Sequence, residues 1–245
     1  MTALLWVVLP YLALAVFVVG HVWRWRHDQF GWTTFTTQLV ENRLLRLGSP
    51  LFHLSALAVL VGHLLGLLAP RNWIAAIGIS DTRFHLISVT AGTLAGTAML
   101  AGLVLLAARR ILHGRVRATT TFMDIVMYVT LGIVVLLGIW ATVGVNLLGA
   151  GHDYRDTVAV WFRGIVLLRP YPSLMAGAPL LFQVHALAAL GLFAMWPFTR
   201  LVHAWSVPIA VLYQPPKSTA APSPRPESSP DEEPNVVEAM GSRSG

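Results

Sequence analysis

Ser49-Pro-Leu-Phe-His-Leu-Ser-Ala-Leu-Ala-Val-Leu-Val-Gly-His-Leu-Leu-Gly66 has no Asp, Glu, Lys or Arg, yet it carries two histidines, His53 and His63. A helix of about 20 largely apolar residues crosses a hydrocarbon core. A histidine at that depth needs a partner, because no bulk water solvates it. Outward from this stretch, which anchors a span at about 51–69, four more runs have the same character: roughly 4–23, 84–108, 125–147 and 180–203. The 245-residue chain is 56% hydrophobic and 11% charged, with mean hydropathy +0.66, whereas soluble domains carry about 25% charged residues. The expected fold is therefore an all-α integral membrane protein, a five-transmembrane-helix bundle. The 17 basic and 11 acidic side chains can all be placed outside the spans or at their edges, as the cost of a charge at the bilayer centre demands.

Basic residues orient the bundle. Arg24, Arg26, Arg43 and Arg46 lie in the first loop, and Arg109, Arg110, Arg115 and Arg117 in the third; four more basic residues lie from Arg200 onward. The second loop holds only Arg71 and Arg83, and the fourth Arg155, Arg163 and Arg169. The positive-inside rule then places the N-terminus outside and the C-terminus in the cytoplasm. The formal charge of +6 belongs to this orientation rather than to nucleic-acid binding. Arg24 and Arg26 directly follow the first run, which lacks a basic n-region, so it reads as a retained helix rather than a signal peptide. Trp6, Trp23, Trp25, Trp73, Trp161, Trp196 and Trp205 mostly fall near span ends, where aromatic belts form. Residues 148–178 are expected to lie across the outer surface as an amphipathic cap. Residues 1–213 thus form the membrane domain, and 214–245, rich in Pro, Ser and acidic residues, a disordered cytoplasmic tail.

Cysteine is absent, which excludes disulfides, iron–sulfur clusters and thiolate zinc sites on this chain. Histidine is the metal-ligand type that remains abundant. His53 and His63 lie on span two, His185 and His203 on span five, and consecutive numbering makes these spans antiparallel. His53 and His203 therefore share an inner level, and His63 and His185 an outer one. Both outer residues stand about 10 Å from the helix ends marked by Pro70 and Pro179, at 1.5 Å per residue. The internal separations agree less well, about 15 Å for ten residues and about 27 Å for eighteen. Tilt, or a kink at Pro197, is expected to absorb the difference. Eighteen residues make five turns, which would put His185 and His203 on one helix face.

Two neutral imidazoles facing each other in an apolar slot suit b-type haem. Gly62, Gly66 and Gly191 would admit a flat ring. Interhelical hydrogen bonding is the plainer role for a single such histidine, but it does not explain two pairs matched in depth. His21, His27, His85, His113 and His152 fall at span ends or in loops, where solvation is cheap.

Leu51–Pro70, the basic loop from Arg115 to Asp124, and Pro197-Phe-Thr-Arg-Leu-Val-His-Ala-Trp-Ser-Val-Pro208 resemble the gamma subunit of membrane-bound respiratory nitrate reductase, over roughly residues 1–212. The resemblance implies a di-haem cytochrome b subunit in the inner cell membrane of a bacterium or archaeon. It would oxidise quinol near the outer face and pass electrons through two b haems to a cytoplasmic iron–sulfur beta subunit. A molybdenum-containing alpha subunit, not this chain, would reduce nitrate. By this resemblance His63 and His185 ligate the distal haem iron and His53 and His203 the proximal one. Arg83, Gly62 and His63 become the expected quinol-binding residues, although the family more typically has a lysine at the position of Arg83. Arg109, Arg110, Arg115, Arg117 and Arg200 would meet haem propionates or the beta subunit. Rival readings are the haem b subunit of another quinone-linked oxidoreductase, a histidine-relay transporter, and a passive membrane anchor.

Overall fold

The computed structural model describes residues 1–27, 43–149 and 151–203. Among them are helices and no strands. Five apolar stretches are long enough to cross a membrane: Leu4–His27, Arg43–Leu68, Asp81–Leu112, Phe122–Leu147 and Leu180–Phe198. The first joins a π turn, Leu4–Val8, to α1, Leu9–His27. Next come α2 (Arg43–Leu68), the short α3 (Arg71–Ala76), α4 (Asp81–Leu112) and the single turn α5 (Gly114–Arg117). Helix α6 (Phe122–Trp140) runs on into a π turn, Ala141–Leu147. The outer connection folds as α7 (Val158–Val166) and α8 (Pro172–Ala176), before α9 (Leu180–Met195).

Local chemistry sets several of these boundaries. Ser80 Oγ accepts from the Arg83 amide at the start of α4. A reciprocal capping box of Thr121 and Asp124 starts α6; each link satisfies an amide that has no partner within the helix. Helix α2 begins earlier than the apolar run suggests and continues through Pro50.

Small residues let the helices approach. A Cβ on Gly102 of α4 would stand 2.6 Å from the Phe52 amide nitrogen of α2, and one on Gly48 would stand 3.0 Å from Leu105 Cβ. Such backbone contact is how helices associate in lipid, where no hydrophobic drive separates them from the tails. Helix α6 packs against both α4 and α9, and α1 packs against α9. Leu103, Leu131, Val135 and Leu192 fill the centre between α4, α6 and α9. Large apolar side chains such as Leu54, Leu94 and Leu136 point outward, as lipid-facing residues do.

Two expectations are corrected here. Within residues 148–178, α7 buries one face and packs against α2. Trp161 and Trp6 are not belt residues but the buried centre of a second core with Ile165, Met175 and Ala178. Trp161 Nε1 donates to the Trp6 carbonyl at 2.8 Å, because a buried indole N–H needs a partner. Arg163 reaches the Leu67 carbonyl at 2.9 Å, satisfying an orphan acceptor at the end of α2. The second correction concerns the last span. Helix α9 ends at Met195, followed by a 3-10 turn Trp196–Phe198, an extended Thr199 and another 3-10 turn, Arg200–Val202. Pro197 has no amide hydrogen to continue the ladder, so the chain breaks instead of kinking, and His203 is not on α9. The stretch 214–245 lies outside the described residues.

Candidate functional site

The structure brings the four histidines together in the two expected pairs. The rings of His53 and His203 are 5.9 Å apart between centroids, with planes at 66°. Those of His63 and His185 are 6.2 Å apart, at 35°. Helix α2 packs on α4 and α7, and α9 on α1 and α6; His63 of α2 faces His185 of α9, while His53 of α2 faces His203, which lies beyond α9.

The backbone orients three of the four rings. His53 Nδ1 donates to the Ser49 carbonyl at 2.7 Å, with the Ser49 hydroxyl at 3.4 Å. His63 Nδ1 donates to the Val59 carbonyl at 2.8 Å, and His203 Nδ1 to the Arg200 carbonyl at 2.5 Å. A carbonyl can only accept, so each Nδ1 carries the proton and each Nε2 keeps its lone pair. His185 Nδ1 is buried, and its ring lies over Gly138 of α6: a Cβ there would stand 3.0 Å from Cε1. Around the pairs, a Cβ on Gly62 or Gly191 would meet nothing within 4 Å. Gly66 is different, since the Tyr154 ring already covers it.

These two antiparallel histidine levels belong to a chain with clear relatives. The nitrate reductase gamma subunit model matches residues 2–220. The nitrate reductase gamma chain of Bacillus subtilis is 44% identical over 209 residues, covering 85% of this chain and 93% of that one. The chain belongs to the nitrate reductase gamma subunit family. The respiratory nitrate reductase 1 gamma chain of Escherichia coli is 32% identical over 204 residues, covering 83% of this chain and 90% of that one. The nitrate reductase-like protein NarX of Mycobacterium tuberculosis is 48% identical over 216 residues; the match covers 88% of this chain but 33% of NarX. The chain's five apolar helices and its membership of the gamma subunit family make it a multi-pass membrane protein.

The arginines sort differently from their sequence grouping. Arg200 Nε pairs with Asp124 Oδ1 at 2.6 Å, and Arg110 Nη1 with Asp124 Oδ2 at 3.4 Å. Arg109 is buried, while Arg115 and Arg117 are exposed on α5. Arg83 is exposed in the first turn of α4, and among the described residues no hydrogen bond or ring contact joins it to His63. Sequence reasoning missed Asp124 as the hub of these ion pairs, although Thr121-x-x-Asp124 is a capping-box spacing and was the available signal. It also missed Gly138, for which spacing carries no signal.

A second polar assembly closes the far end of the bundle. Arg71 pairs with Asp81 at 3.2 Å, Asp153 at 2.5 Å and Asp156 at 2.9 Å. Arg155 pairs with Asp153 at 2.6 Å and Asp81 at 3.1 Å and lies over the Phe84 ring at 4.4 Å. Hydrogen bonding from Arg155 holds the Asp153 carboxyl below the ordinary value, and the same bond raises Arg155. Burial pushes the Tyr154 hydroxyl up. A cavity of about 20 Å³ among Phe84, Asn146, His152 and Arg155 has room for about one water, not for a quinone ring.

Proposed function

We propose that this gamma subunit is the di-haem cytochrome b component of its complex, oxidising quinol at the outer end and delivering electrons to a cytoplasmic iron–sulfur partner for nitrate reduction. The observation that carries the reading is the pair of histidine levels. An atom held between two imidazole nitrogens at about 2 Å each sets the ring centres roughly 6 Å apart, close to both separations. The proton on Nδ1 of three rings leaves Nε2 as the ligand atom, and the open faces of Gly62 and Gly191 suit a flat group. His63 and His185 would hold the outer haem, His53 and His203 the inner one. Haem b held there supplies one-electron carriage between the two levels.

The chain's own part is positional. Arg83, exposed on the first turn of α4, would donate a hydrogen bond to a quinol oxygen; a guanidinium cannot accept a proton, so the two quinol protons leave to water at the outer face. Gly62 keeps the approach to His63 open. The basic loop residues orient the bundle with its N-terminus outside and its C-terminus in the cytoplasm of a bacterial or archaeal cell, and the exposed Arg115 and Arg117 face the beta subunit. The 1–213 membrane domain is followed in this reading by a cytoplasmic tail.

A pyridine-haemochrome assay on the intact complex, normalised to this chain, is expected to give about two b-type haems per polypeptide. His63→Ala is expected to lose one haem and quinol oxidation, with the chain still inserted in the membrane. A colourless complex from haem-replete cells, or His63→Ala with both haems at full occupancy, would refute the reading.

A further inference from the structure

Arg200 makes two bonds that join an ion pair to a histidine. Its Nε is bound at 2.6 Å by Asp124 Oδ1, while its backbone carbonyl accepts from His203 Nδ1 at 2.5 Å. The segment between them is one 3-10 turn, Arg200–Val202, cut off from α9 by the break at Pro197. His203 is therefore not carried by α9, and its direction is not set by that helix. Side chains from elsewhere hold the segment that leads to it. Arg24 of α1 donates to the carbonyls of Pro197 at 2.8 Å and Thr199 at 3.3 Å, and Thr199 Oγ1 accepts from the Leu201 amide.

Asp124 is the stiffest of these anchors. Its side chain is 1% exposed, and it is tied to the first turn of α6, where Oδ2 accepts from the Thr121 amide at 3.0 Å. Arg110 at the end of α4 shares the carboxylate and bonds Tyr128 Oη and Thr120 Oγ1. Three elements, α4, α6 and the His203 turn, thus converge on one buried carboxylate. A buried charge pair with supporting hydrogen bonds tolerates little displacement, because moving one partner leaves the other desolvated and alone.

We infer that Asp124 and Arg200 are positioning residues for His203: their ion pair sets the ring against His53 and so determines the inner centre and not the outer one. This rests on the di-haem reading above. The arginine's Nε is engaged by Asp124.

The test uses membranes containing the full complex. The haem count of the unaltered complex is read first; a count of zero refutes the di-haem reading and this inference with it. Arg200→Gln then removes the charge link while leaving Asp124 paired with Arg110 and its capping box intact, so the fold survives. A ferric bis-imidazole centre would have a low-spin EPR signal that depends on the angle between its ring planes, and the two ring pairs differ in that angle, 66° against 35°. Expected in Arg200→Gln and in Asp124→Asn is loss of the inner centre, or a shifted inner signal and midpoint potential, with the outer signal unchanged. Arg200→Lys, which keeps the charge but not the planar fork, is expected to restore part of the inner occupancy. Both signals unchanged in Arg200→Gln would overturn the inference. Equal loss of both centres would overturn it as well, by assigning the pair to the stability of the whole bundle.

Discussion

The inner and outer histidine pairs have nearly the same ring separation but are held by different physics. At the outer level both residues stand inside long helices, His63 in α2 and His185 in α9; His63 Nδ1 donates to the Val59 carbonyl, and the His185 ring rests on Gly138 of α6. At the inner level His53 is helical, but His203 follows a chain break and is held by hydrogen bonds and an ion pair. A regular helix can deliver a ligand to a chosen depth only at multiples of its own pitch. Ten residues on α2 span about 15 Å and eighteen on a continuous last helix would span about 27 Å, and the break at Pro197 interrupts that helix between the two levels. The comparison teaches that His185 is placed by packing and His203 by electrostatics and backbone geometry.

Variants that act on one pair alone would sharpen that contrast. The largest effect is expected from Gly20→Ala in α1. Its Cβ would fall 2.6 Å from Pro197 Cγ, and Pro197 is buried, so the break must shift at a cost of about 1–3 kcal/mol. Haem counting with EPR should show reduced inner occupancy and an unchanged outer signal; an unchanged inner signal would detach the break from the inner pair. Gly138→Ala is expected to act more gently and in reverse. A Cβ 3.0 Å from His185 Cε1 can be relieved by a small ring displacement, at about 1 kcal/mol, altering the outer signal and midpoint potential while the inner ones stay fixed.

The smallest effect concerns the outer connection. Asp153 has its folded-state value depressed, chiefly by hydrogen bonding to Arg155. Its contribution is therefore present above the ordinary value of 3.8 and lost as pH falls through the depressed one. At neutral pH the clamp from Arg71 and Arg155 to Asp153 is complete. Limited proteolysis of the 148–178 connection should accelerate only below the ordinary carboxylate range, and Asp153→Asn should remove that acid dependence. Acceleration already at pH 6 would assign it to another group.

The membrane character, the number of apolar helices and the identity of the histidine pairs were legible in the sequence. Each follows from one-dimensional quantities: run length against bilayer thickness, the rarity of a polar group within a run, and the antiparallel order of consecutive spans. The aromatic and arginine assignments were less legible. Trp6 and Trp161 have the composition of belt residues, yet their mutual packing depends on how the 148–178 connection folds back. Arg110 and Arg200 have the composition of anion-binding residues, yet a carboxylate from a third element claims both.

By itself, then, the sequence determined which residues must leave water and which histidines must find one another, because burial free energy is summed locally along the chain. Tertiary structure alone decided that Gly138 lies under His185 and that Asp124 gathers Arg110 and Arg200. Those are contacts between residues from 14 to 76 positions apart, and their energies exist only after helix packing has brought the partners to bonding distance and removed the water between them.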